Sequence, residues 1–162
     1  LFKKNVIKLY HQNNYLNKIH VIMLGSMMGW RNDIYNSVDV DEKIKIYKFL
    51  IEQIKKNQNI DNKNIWYKHH PRLPKEIWLK LKDNLDCSFF DYNHQNLSEI
   101  ELANKDLMAV YSVSSTSLFY AKMIFNINSY TLNIKSIKTH PSAFDKSNYL
   151  YKKYFFNEII YK

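Results

Sequence analysis

A chain of 162 residues can build one domain with its own core, and 46% hydrophobic against 24% charged residues is the balance of a folded protein. Two glycines exclude the Gly-rich phosphate loops G-x-G-x-x-G and G-x-x-x-x-G-K-[ST], and the single cysteine, Cys87, excludes internal disulfides and cysteine-built zinc sites. The net charge of +9 suits an anionic partner, but the lysines are spread along the chain beside abundant Asn, Ile and Tyr, which argues against a nucleic-acid patch.

The chain opens on Leu1 with no signal peptide ahead of its first periodic segment, so it is expected to be part of a longer protein. Residues 1–17 read as an N-terminal segment or linker and 18–162 as one domain. No apolar run nears the ~18 residues of a membrane span. Lys18–Gly25 is short, β-branched and stopped by glycine, the pattern of a buried strand. The polar stretch Ser26–Val40 reads as a loop, and Asp41 as the N-cap of a helix. That helix repeats Ile44, Tyr47, Ile51 and Ile54 at helical spacing, with acids leading and lysines trailing.

After a polar loop, Asn64–His69 predicts a second strand, ended by His70-Pro71. Pro74 opens a helix to about Leu85, with Ile77, Leu81 and Leu85 on one face. Cys87–Phe90 predicts a short strand and Ser98 the start of a helix of about two turns. Leu107–Val113 predicts a strand, Ser115–Phe125 a helix and Tyr130–Ile134 a strand. The aromatic tail from Ala143 reads as a helix packing back on the domain. Strand and helix alternate, so the fold class is α/β: a parallel Rossmann-like sheet with helices on both faces. Ligands of such sheets bind beyond the carboxyl ends of the strands.

Two polar segments fall at those ends. Tyr67-Lys68-His69-His70-Pro71-Arg72 closes one strand, and Tyr111-Ser112-Val113-Ser114-Ser115-Thr116-Ser117 joins another to a helix. Ser114 and Ser115 at a helix start would offer hydroxyls beside free backbone N–H groups, a setting that favours a phosphate. The plain alternative is N-capping by serine. His70 offers a proton donor or an imidazolium beside a leaving phosphate, with Lys68 and Arg72 adding charge. The plain alternative there is a basic surface turn. A second His-Pro, His140-Pro141, lies after the last predicted strand of the alternating series and is set aside.

Taken together, E-K-I-K-I-Y-K, then W-Y-K-H-H-P-R, then Y-S-V-S-S resembles the bacterial lipooligosaccharide sialyltransferase family over about Lys18 to Tyr130. These are transferases that use CMP-sialic acid on a GT-B-type fold. The resemblance implies the nucleotide-binding half of such an enzyme, inactive by itself, with inversion at the sugar. It implies that His70 is the general acid or phosphate donor, that Ser114 and Ser115 hold the same phosphate, and that Glu99 or Glu101, Glu99 preferred, binds the ribose. Both glutamates also suit a helix start. Arg72 and Gly25 join the expected donor-binding set.

The family's catalytic base lies in an acidic-acidic-Gly segment after the first strand. This chain departs from it with Gly29-Trp30-Arg31-Asn32-Asp33, and Asp33 is the candidate base. Asp39-Val40-Asp41 has the form of a metal-binding D-x-D, but Asp41 reads better as a cap, so no metal and no cofactor is expected. The expected partners are a CMP-sugar donor and a glycan acceptor. The expected place is the cytoplasm, with peripheral contact with the inner membrane and a homodimer both allowed. Rival readings are a CMP-Kdo or CDP-glycerol transferase, here without the D-Y-S-S of the latter, and a non-catalytic α/β binding domain.

Overall fold

The computed structural model describes residues 2–12, 19–25, 39–94, 97–113, 115–134 and 157–161. Its elements in chain order are α1 Phe2–Gln12, β1 Val21–Leu24, α2 Val40–Gln58, β2 Ile65–Lys68, α3 Lys75–Asn84, β3 Ser88–Phe89, α4 Ser98–Glu101, β4 Ala109–Ser112, α5 Ser117–Met123, β5 Asn128–Ile134 and β6 Asn157–Tyr161. The strands form one parallel sheet in the order β3-β2-β1-β4-β5-β6.

β1 is central and wholly buried, which is why it reads as an unbroken apolar run, Val-Ile-Met-Leu. Successive side chains still point to opposite faces. Val21 and Met23 join Tyr67, Tyr111 and Leu132 beneath Ile46, Tyr47 and Leu50 of α2 and Leu81 of α3. Ile22 and Leu24 join Val110 and Phe90 beneath Leu118 and Ala121 of α5. Helices therefore cover both faces. Each large side chain so buried contributes about 1.5–3 kcal/mol relative to exposure.

α2 starts two residues earlier than its sequence suggests. Asp39, in extended backbone (φ −63°, ψ 170°), accepts the Glu42 N–H on Oδ1 at 2.7 Å. Asp39 is the N-cap, and Asp41 sits in the first turn. The helix ends on Asn59 in the left-handed region (φ 51°), whose N–H returns to the Lys55 carbonyl. At that end Gln58 Nε2 donates to Tyr111 Oη at 2.7 Å and Tyr130 Oη at 3.3 Å, fastening α2 over β4 and β5.

The N-terminal segment contains a helix, α1, which buries Val6 and packs against α4. One further expectation is corrected. The last part of the aromatic tail is a strand: β6 pairs in parallel with β5, Leu132 opposite Ile159. Burying the β5 edge rewards an extended chain there, whatever the local composition. Residues 135–156 lie outside the described residues. No helix among the described residues is long and apolar enough to cross a membrane.

Candidate active site

Strand order reverses at β1. The chain leaves β1 for β2 and β3 on one side, then returns to β4 on the other. The carboxyl ends of β1 and β4 therefore part into the crevice where sheets of this kind take ligands. Leu24 stands opposite both Lys68 of β2 and Ser112 of β4. Residues that follow those three positions share one rim, and β2 and β4 lie two strand spacings apart, roughly 10 Å.

Gly25 is the first residue past β1. Its N–H donates to the Lys68 carbonyl at 2.7 Å. A Cβ on Gly25 would meet Tyr67 Oη at 2.7 Å, His69 Cα at 3.1 Å and His70 N at 3.1 Å. Glycine is needed here for space, so that the end of β1 can lie against the His69–His70 backbone.

The two histidines differ. His69 is buried, stacked on Tyr92 at 4.9 Å and set edge-on to Trp78 at 6.4 Å. Burial, then the nearby charge of Lys68 and the other histidines, holds its pKa below the ordinary value. It is a packing residue. His70 is half-buried on the rim, and its Nδ1 accepts the backbone N–H of Arg72 at 3.2 Å. Burial and the Arg72 charge push its pKa down as well. Near neutral pH the ring is therefore uncharged, with its proton on Nε2. Arg72 is exposed on the turn.

Lys68 does not send its charge into the cleft. Its Nζ lies 3.1 Å from Glu101 Oε1, with the side chains 4% and 0% exposed. The same carboxylate oxygen meets His94 Nε2 at 2.7 Å. Phe90 packs against both side chains, 5.0 Å from Lys68 Nζ and stacked on His94 at 5.1 Å. Burial lowers the Lys68 pKa, and Glu101 acts in the opposite direction. Glu101 is thus engaged in a buried pair with Lys68, its side chain shut off from solvent. Glu99 is half-buried on the same short helix and accepts the Ser117 hydroxyl on Oε1 at 3.1 Å.

The serine segment joins β4 to α5. Ser112 is buried in the strand and its hydroxyl donates to the Leu24 carbonyl at 3.2 Å. Ser115 Oγ accepts the Ser117 N–H at 3.2 Å, a local turn just ahead of α5, whose N-cap is Thr116. Ser114 and Asp33 lie outside the described residues. The start of α2, also on this rim, carries Asp39, Asp41 and Glu42, and those carboxylates disfavour an anion there. Among the described residues no three His, Cys, Asp or Glu side chains gather as a metal-binding group.

A protein-family model of alpha-2,8-polysialyltransferases matches residues 4–134. The chain belongs to this polysialyltransferase family. The match runs from α1 through β5 and includes both polar segments of the rim. It makes the polysialyltransferase-family chain a glycosyltransferase of the sialyltransferase class, as the resemblance of its motifs implied. None of the curated proteins matches the chain.

Sequence reasoning missed Ser117 and His94 in this polysialyltransferase-family site. Ser117 had a weak signal, two positions beyond Ser115 at the start of the helix. His94 had none, since its partner Glu101 lies beyond a turn whose course only the fold decides.

Proposed function

We propose that the chain is the nucleotide-binding half of a bacterial GT-B-type transferase that moves sialic acid from CMP-sialic acid to a surface glycan such as lipooligosaccharide. The reading rests on one observation. A sialyltransferase-family chain carries His70 and Ser115 beyond the ends of β2 and β4, on either side of the switch-point strand β1.

In the proposed reaction Asp33 takes the proton of the acceptor hydroxyl. The oxygen attacks the anomeric carbon, the bond to the phosphate breaks, and the sugar is transferred with inversion. CMP leaves with the bonding electrons. Its phosphate is already a good leaving group, so the site needs charge stabilisation more than a strong acid. A neutral His70 serves that need as an Nε2–H donor, together with the hydroxyls of Ser114 and Ser115. Arg72 adds positive charge from the rim. Glu99, steadied by Ser117, takes the ribose hydroxyls, and Gly25 lets the donor lie close to the end of β1. The donor and the glycan are the proposed partners, with the work done on the cytoplasmic side, close to the inner membrane.

The test is CMP release by the full-length protein from CMP-sialic acid, with CMP-Kdo and CDP-glycerol offered in parallel. His70→Ala is expected to lower kcat about 10²–10³-fold, the usual loss for one preorganised donor. Unchanged turnover in that variant refutes the role, and preference for another donor refutes the substrate. The family's name favours a second acceptor, a glycan already ended by sialic acid and extended in α-2,8 linkage. Supplying both acceptors separates the two.

A further inference from the structure

The buried Lys68–Glu101–His94 group has no part in the mechanism above. Lys68 is the last residue of β2, and its carbonyl takes the Gly25 N–H, so its backbone belongs to the seam between β1 and β2. Its side chain runs to the face opposite Tyr67 and ends on Glu101, with both side chains shut off from solvent. The same carboxylate oxygen takes His94. One carboxylate therefore gathers three segments around the cleft: the end of β2, the turn that follows β3, and α4, which also carries Glu99.

The sheet face around this group is otherwise apolar, formed by Ile22, Leu24, Val110 and Phe90. Placing an ion pair there is a poor route to stability, because apolar side chains of similar volume usually serve as well or better. Either ion left alone is heavily penalised, however, so the pair tolerates few arrangements of the backbone that carries it. That backbone bears His70 two residues further on.

We propose that Glu101 is a positioning residue, which through Lys68 and His94 holds the end of β2 so that the His70 ring faces the crevice. This rests on the reading of His70 as donor to the leaving phosphate. Glu101 touches no substrate in this account. It acts through the strand end, as Gly25 does from the other side.

The test compares the full-length wild type with Glu101→Gln and with the double variant Lys68→Met/Glu101→Leu, which removes both charges of the buried pair and leaves the 20% exposed His94 side chain to water. Three quantities are read: the melting temperature, the nitrogen-edited NMR spectrum of the His70 ring without substrate, and CMP release with kcat and KM resolved. The double variant is expected to melt at or above the wild-type temperature, while the His70 ring signals shift. Its kcat is expected to fall at least about tenfold at nearly constant donor KM, since ångström-scale misplacement of a catalytic group costs up to about a hundredfold. A folded double variant with the wild-type ring spectrum and kcat overturns the proposal. Should that variant not fold, Glu101→Gln carries the test by the same ring spectrum and kcat. The ring spectrum needs no donor, so it judges Glu101 independently. Failure of the donor assignment shows instead as a wild-type protein that releases no CMP.

Discussion

Gly25→Ala probes the contact between β1 and the histidine turn directly. The added methyl would lie 3.1 Å from both His69 Cα and His70 N, where an ordinary contact begins at 3.4 Å, so the backbone must give by at least 0.3 Å. The third contact, 2.7 Å to Tyr67 Oη, cannot be relieved by swinging the ring away. Tyr67 is 1% exposed and wedged edge-on against Tyr47 at 5.2 Å. Overpacking of this kind costs about 1–3 kcal/mol. A chain of this size should lose about 2–4 °C of melting temperature for each kcal/mol. Thermal unfolding followed by circular dichroism reads that loss, and CMP release reads the displacement of His70 as a fall in kcat of about tenfold or more. A Gly25→Ala variant with wild-type melting and wild-type kcat would show that β1 does not press on the turn, and the packing argument would fail.

Asp39→Ala should cost about 1 kcal/mol of stability, because it leaves the Glu42 N–H without its cap. Asp41→Ala should cost only about 0.3 kcal/mol, the dipole contribution of an exposed first-turn acid. Equal losses in thermal melts would reject Asp39 as the cap. The histidines set a pH dependence. His69 and His70 both have folded-state pKa values below 6.5, so the unfolded chain binds protons more readily. Their stabilisation is complete above about pH 6.5 and is lost as pH falls through the folded-state values. Melting temperatures should therefore hold near neutrality and drop on acidification. His69→Phe, which keeps a ring against Tyr92, should flatten that drop, and an unchanged profile would count against it.

Much of the site was legible because a parallel sheet turns order into position. Once Ile65–Lys68 and Ala109–Ser112 are recognised as strands of alternating βα units, the residues just after each must share one rim. His70 and Ser115 follow from that. The N-cap was harder to read, since Asp39 and Asp41 offer the same chemistry two residues apart. Only Asp39 has the extended backbone that brings its carboxylate to the Glu42 N–H.

Local pattern alone thus determined which segments are strands or helices along most of this chain, because periodicity and turn residues act within a few positions. It also marked the polar residues at strand ends and, through their order, the sialyltransferase class. Tertiary structure decided whatever depended on partners far away in sequence. It turned Asn157–Tyr161 into a strand by offering the β5 edge, and it placed the Gly25 backbone against the histidine turn. It drew Lys68 and Glu101 into one buried pair, although each had read as a ligand-facing charge. Burial and pairing energies depend on what surrounds a group in space, and neighbours along the chain supply little of that surrounding.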